Sequence, residues 1–196
     1  MKESIQNHVK EIFLKYGEKV RFKIGQSISS DKYIAGTVFL IESGSARVIL
    51  EDDNKLTTVK KISSDHVIGA ISILRGNACE NVRASSNVIA TSISDKEFKK
   101  LYDNDSKFRG YFDSLKDSSE IIEFSKFIRN QIPNLDFNLI ELFNLLEKSV
   151  LLINFSNKKI ETLFKSNKIK IYRSSSNEKF AFREIDSFTE YLKFKD

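Results

Sequence analysis

The stretch from Gly69 to Ser85, "GAISILRGNACENVRAS", holds the residues whose types and spacing point most clearly to chemistry. A glycine precedes a short apolar segment, which we predict to be a helix from Ile71 to Leu74. Backbone N–H groups at the start of a helix bind anions, and a glycine lets a ligand approach because it has no Cβ. The residue order therefore predicts a backbone cradle for a phosphate-type anion.

Catalytic and metal-binding chemistry has little support elsewhere in the chain. The two histidines, His8 and His66, are far apart in sequence, and Cys79 is the only cysteine. We therefore expect no internal disulfide and no structural zinc site. The acids Asp52 and Asp53 lie in an apparent hairpin turn with no base beside them. The sequence therefore predicts a protein that is not an enzyme.

Composition indicates a folded protein with a moderate positive charge. The 196 residues are 40% hydrophobic with a single proline, which is typical of a globular chain that buries a core. No stretch approaches the ~20 apolar residues of a membrane span, and the N-terminus does not resemble a signal peptide, so we expect a cytoplasmic location. The net charge of +5 is diffuse except around Lys158 to Arg173, so nucleic acid is not an expected partner.

The first half of the chain predicts short strands enclosed by helices. An amphipathic helix is predicted from Ile5 to Tyr16, and the alternation that follows predicts a strand with Val20, Phe22 and Ile24 facing inward. Further alternating segments up to "SNVIATSI" are separated by turn residues, and Ser94 begins a capping box for the next helix. Many short strands with regular turns predict a barrel or sandwich.

Beyond Phe108 the pattern becomes helical. One long helix is predicted to end before Pro133, and a second is predicted from Asn138 to Lys148. "SVLLINF" predicts a buried strand, a short helix is predicted from Ser156, and "KIKIYRSSSNEKFAF" predicts a hairpin. We expect two units, residues 1–118 and a helical or α+β appendage at 119–196, whose independence the sequence leaves open. The long helix carries an apolar stripe of Phe112, Leu115, Ile122, Phe124 and Ile128.

The glycine pattern resembles that of a known family. Gly25, the hairpin "FLIESGSARV" with Gly44, and "IGAISILRG" with the later "VRA" are similar to the cyclic-nucleotide-binding domain, the β-roll of catabolite activator proteins, regulatory kinase subunits and gated channels. The resemblance covers roughly residues 10–116. It implies a mainly β fold with flanking helices, a cyclic-nucleotide-binding-like double-stranded β-helix (jelly roll), followed by a small C-terminal α+β unit.

The sequence departs from this family where the ligand would bind. The family places a glutamate after the glycine to hold the ribose, and an arginine followed by Ser or Thr before "VRA" to hold the phosphate. Here those positions carry Ala70, Ala78 and Cys79, and Glu80 adds a negative charge beside the expected phosphate. The resemblance therefore implies a degenerate pocket that binds cyclic AMP or cyclic GMP weakly at most. Its candidate residues are Gly69, Ala70, Ile71, Ser72, Ala78, Cys79 and Arg83.

Two other arginines could compensate for the absent phosphate-binding arginine at position 78. Arg75 lies at the end of the predicted short helix, whereas Arg83 lies between Val82 and Ala84, so that alternation points it away from their inward face. Surface solvation is the favoured interpretation of both. Cys79 is interpreted as a small buried residue, because a neighbouring acid raises the pKa of a thiol.

The resemblance leaves two functional hypotheses. "GAISILRGNACENVRASS" is similar to the N-terminal region of haemolysin-type toxin-secretion ABC exporters. This implies a regulatory module that contacts other exporter domains at the cytoplasmic face of the inner membrane, contacts another partner protein, or forms a homodimer through the helices after Phe108. The alternative is a cyclic-nucleotide-responsive transcription regulator of the catabolite activator type, with residues 136–183 contacting DNA. The strand "SVLLINF" disfavours it, because a helix-turn-helix needs two consecutive helices.

Overall fold

The computed structural model describes residues 2–131, 138–154 and 169–173. Its centre is a roll of two four-stranded antiparallel sheets, with strand orders β1-β8-β3-β6 and β2-β7-β4-β5. This is the jelly-roll architecture with flanking helices that the sequence predicts. The eight strands of the roll are β1 Glu18–Phe22, β2 Ser27–Ser29, β3 Thr37–Ser43, β4 Ala46–Asp52, β5 Lys55–Ile62, β6 Val67–Ile68, β7 Val82–Ala84 and β8 Val88–Ser94.

Helices precede the roll, interrupt it and follow it. Within the described ranges, no helix is both long and apolar enough to cross a membrane. The capping box predicted at Ser94 is present, since its hydroxyl accepts a hydrogen bond from the Glu97 N–H at 3.2 Å. The six helices are α1 Lys2–Tyr16, α2 Ala70–Arg75, α3 Asp95–Asn104, α4 Ser106–Ser114, α5 Ser118–Gln131 and α6 Leu139–Ser149.

The segment predicted as one long helix forms two. Helix α4 ends at Ser114, its C-cap Leu115 has an extended backbone, and α5 begins at Ser118. The Asp117 carboxylate accepts a hydrogen bond from the Ser119 N–H at 2.7 Å, and this cap starts the second helix. The apolar periodicity continues across the break, which is why the sequence pattern does not reveal it.

The core has two parts because the sheet containing β3 is buried on both faces. On its outer face lies the aromatic cluster, in which the Phe98 ring is 5.0 Å from that of Phe112 and 5.6 Å from that of Phe108. On the inner face, the roll cluster combines strand residues with residues of α5 and α6. The aromatic cluster comprises Val9, Ile12, Phe13, Val38, Leu40, Val67, Ala70, Ile73, Ile93, Phe98, Phe108 and Phe112.

The predicted apolar stripe is divided between the two clusters. Phe112 is buried in the aromatic cluster, whereas Ile122 and Phe124 are buried in the roll cluster. The side chain of Ile128 lies outside the described residues. Because these buried residues contact their own chain, they are not available for the predicted homodimer contact.

The domain boundary predicted at residue 118 stays a prediction. Helices α5 and α6, which follow this boundary, both contribute residues to the roll cluster.

One inward-facing residue is predicted wrongly. Strand β1 ends at Phe22, and Ile24 lies in the following turn with 69% of its surface exposed. The turn is closed by a hydrogen bond from the Gln26 N–H to the Lys23 carbonyl, and Gly25 adopts a φ of +84° within it. Tight turn geometry therefore overrides the alternation of apolar residues.

The C-terminal strand predictions are confirmed in part. "SVLLINF" contains β9, Val150–Asn154, and the first arm of the predicted hairpin contains β10, Ile169–Arg173. These two strands pair in parallel. The second arm of that hairpin and the helix predicted from Ser156 lie outside the described residues.

Phe98→Ala should destabilise the protein by about 3–5 kcal/mol, because it removes a fully buried ring from the centre of the aromatic cluster. Urea denaturation followed by circular dichroism measures the change. Leu14→Ala is the matched control, since Leu14 is half exposed on α1 and should change stability by less than about 0.5 kcal/mol. Equal losses in the two variants would contradict the assignment of Phe98 to the core.

Candidate functional site

The predicted anion cradle is present at the junction of β6 and α2. Gly69 caps α2 with a φ of +91°, a left-handed conformation that favours glycine. A Cβ built on Gly69 would lie 2.7 Å from the Thr37 carbonyl oxygen. Both the backbone conformation and the contact with β3 therefore require glycine, and together they fix the direction in which the first N–H groups of the cradle point.

A carboxylate of the same chain occupies this cradle. The Gly69 N–H donates to Oε1 of Glu80 at 2.8 Å, and the Ser72 N–H donates to Oε2 at 2.9 Å. Glu80 is 98% buried, with 2% of its surface exposed. Glu80 was expected beside a bound phosphate, but the structure places it in the cradle itself. Each of its two oxygens accepts one of the hydrogen bonds that an anionic ligand would accept there.

Ser72 and Ser29 hold the segment that carries Glu80. The Ser72 hydroxyl accepts hydrogen bonds from the N–H groups of Cys79 at 3.2 Å and Glu80 at 3.3 Å. The Ser29 hydroxyl donates to the Glu80 carbonyl oxygen at 2.6 Å. Both serines are buried, so the segment before β7 is folded back against α2 and presents Glu80 to the cradle from the protein interior.

The buried carboxyl of Glu80 has an unusual acidity. Burial raises its pKa from the ordinary 4.5 to about 7, and the negative charge of Asp117 contributes to the increase. The hydrogen bonds from Ser72 and Gly69 favour the ionised form and oppose this shift. Burial and the charge of Glu80 also raise the pKa of the Cys79 thiol well above its ordinary value, so Cys79 is an unreactive buried residue, in agreement with its sequence interpretation.

The other residues predicted to bind a nucleotide do not all lie at the cradle. Ala70 and Ile71 are buried in the first turn of α2, and Ala78 is half-buried in the segment before Glu80. Arg83 lies opposite Arg47 and Ser27 in the sheet, on the face away from the buried Val82 and Ala84. Arg83 is therefore not brought to the cradle, as the alternation of β7 predicts.

Arg75 is half-buried, and its charge opposes the rise in the pKa of the Cys79 thiol. It lies in the last turn of α2, whereas Gly69 lies at the start of the helix. The hydrogen bonds described for the Glu80 carboxylate come from the backbone N–H groups of Gly69 and Ser72.

The interior of the roll next to the cradle is filled by the two helices that follow it. Ile121, Ile122 and Phe124 of α5 belong to the roll cluster together with Val82 and Ala84 of β7. The roll cluster comprises Ile28, Ile41, Ala46, Val48, Leu50, Ile62, Ile68, Val82, Ala84, Val88, Ala90, Ile121, Ile122, Phe124, Leu139, Leu142, Phe143, Leu145 and Leu146.

Ion pairs also connect α5 to the roll. Arg129 contacts Asp52 at the end of β4 at 2.6 Å, and Lys126 lies 3.8 Å from Asp31 in the segment after β2. All four residues retain some exposure, so each pair contributes modestly to stability. The two pairs connect the second half of α5 to β4 and to the segment after β2.

Sequence reasoning missed Asp117. Its carboxylate is buried, with 6% of the residue exposed, at the junction of α4 and α5. Its charge raises the pKa values of Glu80 and Tyr111. The signal available in the sequence was "KDSSE", in which an acid precedes two serines and a glutamate, a typical helix start.

Within the described ranges, no group of three or more His, Cys, Asp or Glu residues could hold a metal ion.

A comparison with protein families matches this part of the chain. Residues 19–105 match the family described as "Cyclic nucleotide-binding domain". Apart from Glu18, the first residue of β1, this segment includes the eight strands of the roll and the cradle. Residues 19–105 have the jelly-roll fold of the cyclic nucleotide-binding domain. The resemblance inferred from the glycine pattern is therefore confirmed at the level of the domain. No curated protein has a significant sequence match to the chain.

Solved structures similar to the chain include several with this domain. Thermus thermophilus catabolite activator protein is 11% identical with a TM-score of 0.49, and the match covers 70% of this chain and 76% of that chain. The regulatory domain of Toxoplasma gondii PKA with cAMP is 18% identical with a TM-score of 0.46, covering 52% of this chain and 40% of that one. The chain therefore spans about two fifths of the Toxoplasma protein it matches.

The cradle does not fit a cyclic phosphate as it stands. The N–H groups of Gly69 and Ser72 are already bonded to Glu80, and a second anion there would meet a carboxylate of the same sign. Ala70 has no polar side-chain atom for a ribose hydroxyl, and Ala78 has no charge for a phosphate.

Gly69→Ala should destabilise the domain more than Gly25→Ala. Both glycines have a positive φ, which costs a non-glycine residue about 1–2 kcal/mol, but only Gly69 adds a contact of 2.7 Å with the Thr37 carbonyl, whereas Gly25 has open space around it. Thermal unfolding of the two variants measures the difference. A Gly69→Ala variant as stable as Gly25→Ala would contradict the described packing of the cradle against β3.

Proposed function

We propose that the chain is a non-enzymatic regulatory or sensory module in which Glu80 replaces the phosphate of a cyclic nucleotide. The match to the cyclic nucleotide-binding domain supports the regulatory role, because this domain is a regulatory fold. One observation carries the proposal: both N–H groups of the cradle donate to the Glu80 carboxylate. The module acts through protein contacts, and it does not depend on the ordinary phosphate contact of a cyclic nucleotide.

Displacing Glu80 would be costly. A nucleotide phosphate would have to take both hydrogen bonds, which would leave the buried Glu80 carboxylate without partners. Leaving one member of a desolvated hydrogen-bonded pair unpaired costs about 2–5 kcal/mol, and about 1.4 kcal/mol corresponds to a tenfold change in affinity. A 1 µM site would therefore weaken by about 30-fold to 4,000-fold, to a dissociation constant between about 30 µM and a few millimolar.

Isothermal titration calorimetry tests this proposal directly. We expect cyclic AMP and cyclic GMP to bind the chain with dissociation constants no tighter than about 30 µM, because a cost of at least about 2 kcal/mol weakens a 1 µM site by about 30-fold. A micromolar dissociation constant for either nucleotide would refute the proposal.

A matched pair of variants tests whether Glu80 is what closes the cradle. Glu80→Ala frees the N–H groups of Gly69 and Ser72, so inorganic phosphate should raise the thermal unfolding midpoint of this variant more than that of the original chain. Glu11→Ala removes the same charge from the exposed face of α1 and is the control. An equal effect of phosphate on all three proteins would show that Glu80 does not block the cradle.

We also propose that the module belongs to, or is related to, a larger transport protein. The similarity of "GAISILRGNACENVRASS" to toxin-secretion ABC exporters supports a role as the regulatory N-terminal portion of such an exporter, or as a freestanding relative of that portion. Its partners would then be the other exporter domains at the cytoplasmic face of the membrane. The reading frame beyond Asp196 tests this context, since membrane spans and an ATPase encoded there would support it. A stop codon would leave a freestanding module.

The transcription-regulator hypothesis has weaker support. Most of residues 136–183, which would contact DNA, lie outside the described ranges. The described part after α6 consists of the parallel strands β9 and β10, whereas a helix-turn-helix requires two consecutive helices. A gel shift with duplex DNA would revive this hypothesis if it showed salt-dependent binding.

A further inference from the structure

We propose that the outer face of the sheet β2-β7-β4-β5 binds an acidic segment of a partner protein through three cations, Arg47, Lys61 and Arg83. These three residues are called the basic row below. The inference rests on the proposed function in taking the chain as a module that acts through protein contacts. It adds the surface that makes the contact and the chemistry of the partner, a segment rich in aspartate or glutamate.

Strand register brings the three cations together. Arg47 in β4 pairs with Arg83 of β7 on one side and with Lys61 of β5 on the other. Residues that pair across neighbouring strands point to the same face of a sheet, and neighbouring strands lie about 4.8 Å apart. The backbone positions of the basic row therefore form a line of about 10 Å across the sheet.

The basic row lies on the face of the sheet that points away from the roll interior. Ala46, Ala84 and Ile62 pair across the same three strands, directly next to the row, and they are buried in the roll cluster. Because side chains alternate along a strand, the adjacent cations point outward. The cations of β4 and β5 are exposed and that of β7 is half-buried, so a partner can reach the row from outside.

The ion pairs of the described residues do not include Arg47, Lys61 or Arg83. The nearest acid within β4 is Glu51, four residues or about 13 Å from Arg47. The buried Nε of Arg83 has no hydrogen-bond partner in the part of the chain that the structure describes. Like charges directly opposite each other in a sheet are destabilising, and so is a buried donor without an acceptor. An anion over the row would relieve both.

The type and number of the cations favour acidic side chains as this anion. Two of the three are arginines, whose planar guanidinium groups bind carboxylates through paired hydrogen bonds, and arginine is enriched at protein interfaces. An extended segment advances about 3.3 Å per residue, so three or four residues with two or more acids among them cover the row. The basic row therefore matches a short acidic segment in both charge and length.

A membrane surface and a nucleic acid match the basic row less well. Anionic membranes are recognised by clusters of about four to eight cations, and the row supplies fewer. Duplex DNA carries one charge per about 1.7 Å of its axis, which favours a basic surface longer than about 10 Å. The observations therefore favour a protein as the partner.

Fluorescence anisotropy of a fluorescein-labelled hexaglutamate peptide, titrated with the full chain at about 50 mM salt, measures the contact. We expect saturable binding to the original chain. Arg47→Gln removes the central cation of the row and should weaken this binding by at least about fivefold, because hydrogen bonds between charged groups are strong. Arg21→Gln is the matched control, since Arg21 is exposed on β1 in the other sheet, and it should change the dissociation constant by less than about twofold.

Thermal unfolding separates a binding role of Arg47 from a structural one. Arg47→Gln relieves the repulsion from both neighbours, so its unfolding midpoint should stay unchanged or rise by up to about 4 °C. A lower midpoint would show that Arg47 has a stabilising partner in its own chain, and this result would overturn the proposal.

The peptide titrations can also refute the proposal. Absence of hexaglutamate binding to the original chain is one such result, and equal binding by Arg47→Gln and Arg21→Gln is another. Vesicles containing phosphatidylserine and a duplex DNA are titrated in parallel. If Arg47→Gln weakens the binding of either while hexaglutamate binding stays unchanged, the partner is not an acidic protein segment. No cyclic nucleotide enters these titrations, so micromolar nucleotide binding in the calorimetric test would refute the proposed function separately.

Discussion

The hydrogen bonds from the Gly69 and Ser72 N–H groups to the Glu80 carboxylate are the constraint on which the site depends. They join the start of α2 to the segment before β7, two parts of the chain that would otherwise contain unpaired buried polar groups. Ser72 and Ser29 complete the arrangement by binding the backbone of that segment. The cradle is therefore satisfied within the chain, and an external anion is not needed to satisfy it.

Helix α5 depends on the same region through packing and charge. Its apolar residues fill the roll beside β7, so the helix remains in place as long as the roll cluster is intact. Asp117, which precedes the first turn, has a charge that contributes to the raised pKa of Glu80. The apolar contacts supply most of the docking energy, because burial of large side chains outweighs a single carboxyl interaction.

Much of the fold could be predicted from the sequence, whereas the central contact of the site could not. Alternating strands, the capping box at Ser94 and the ordered glycines depend on local patterns, and local patterns are visible in a sequence. The occupation of the cradle by Glu80 depends on the backbone path between α2 and β7. The break before Asp117 was hidden because apolar periodicity continues across it, although the cap that causes the break has a recognisable local pattern.

Position 78 carries no arginine, and the carboxylate of Glu80 lies in the cradle. The negative charge at position 80 explains why these two features occur together. An arginine at position 78 would balance a bound phosphate, but in this arrangement it would be drawn to Glu80 and compete with the backbone N–H groups for it. With Ala78 in that place, backbone N–H groups hold Glu80 in the cradle. The same residue that deprives a ligand phosphate of its partner therefore leaves the cradle to the internal carboxyl.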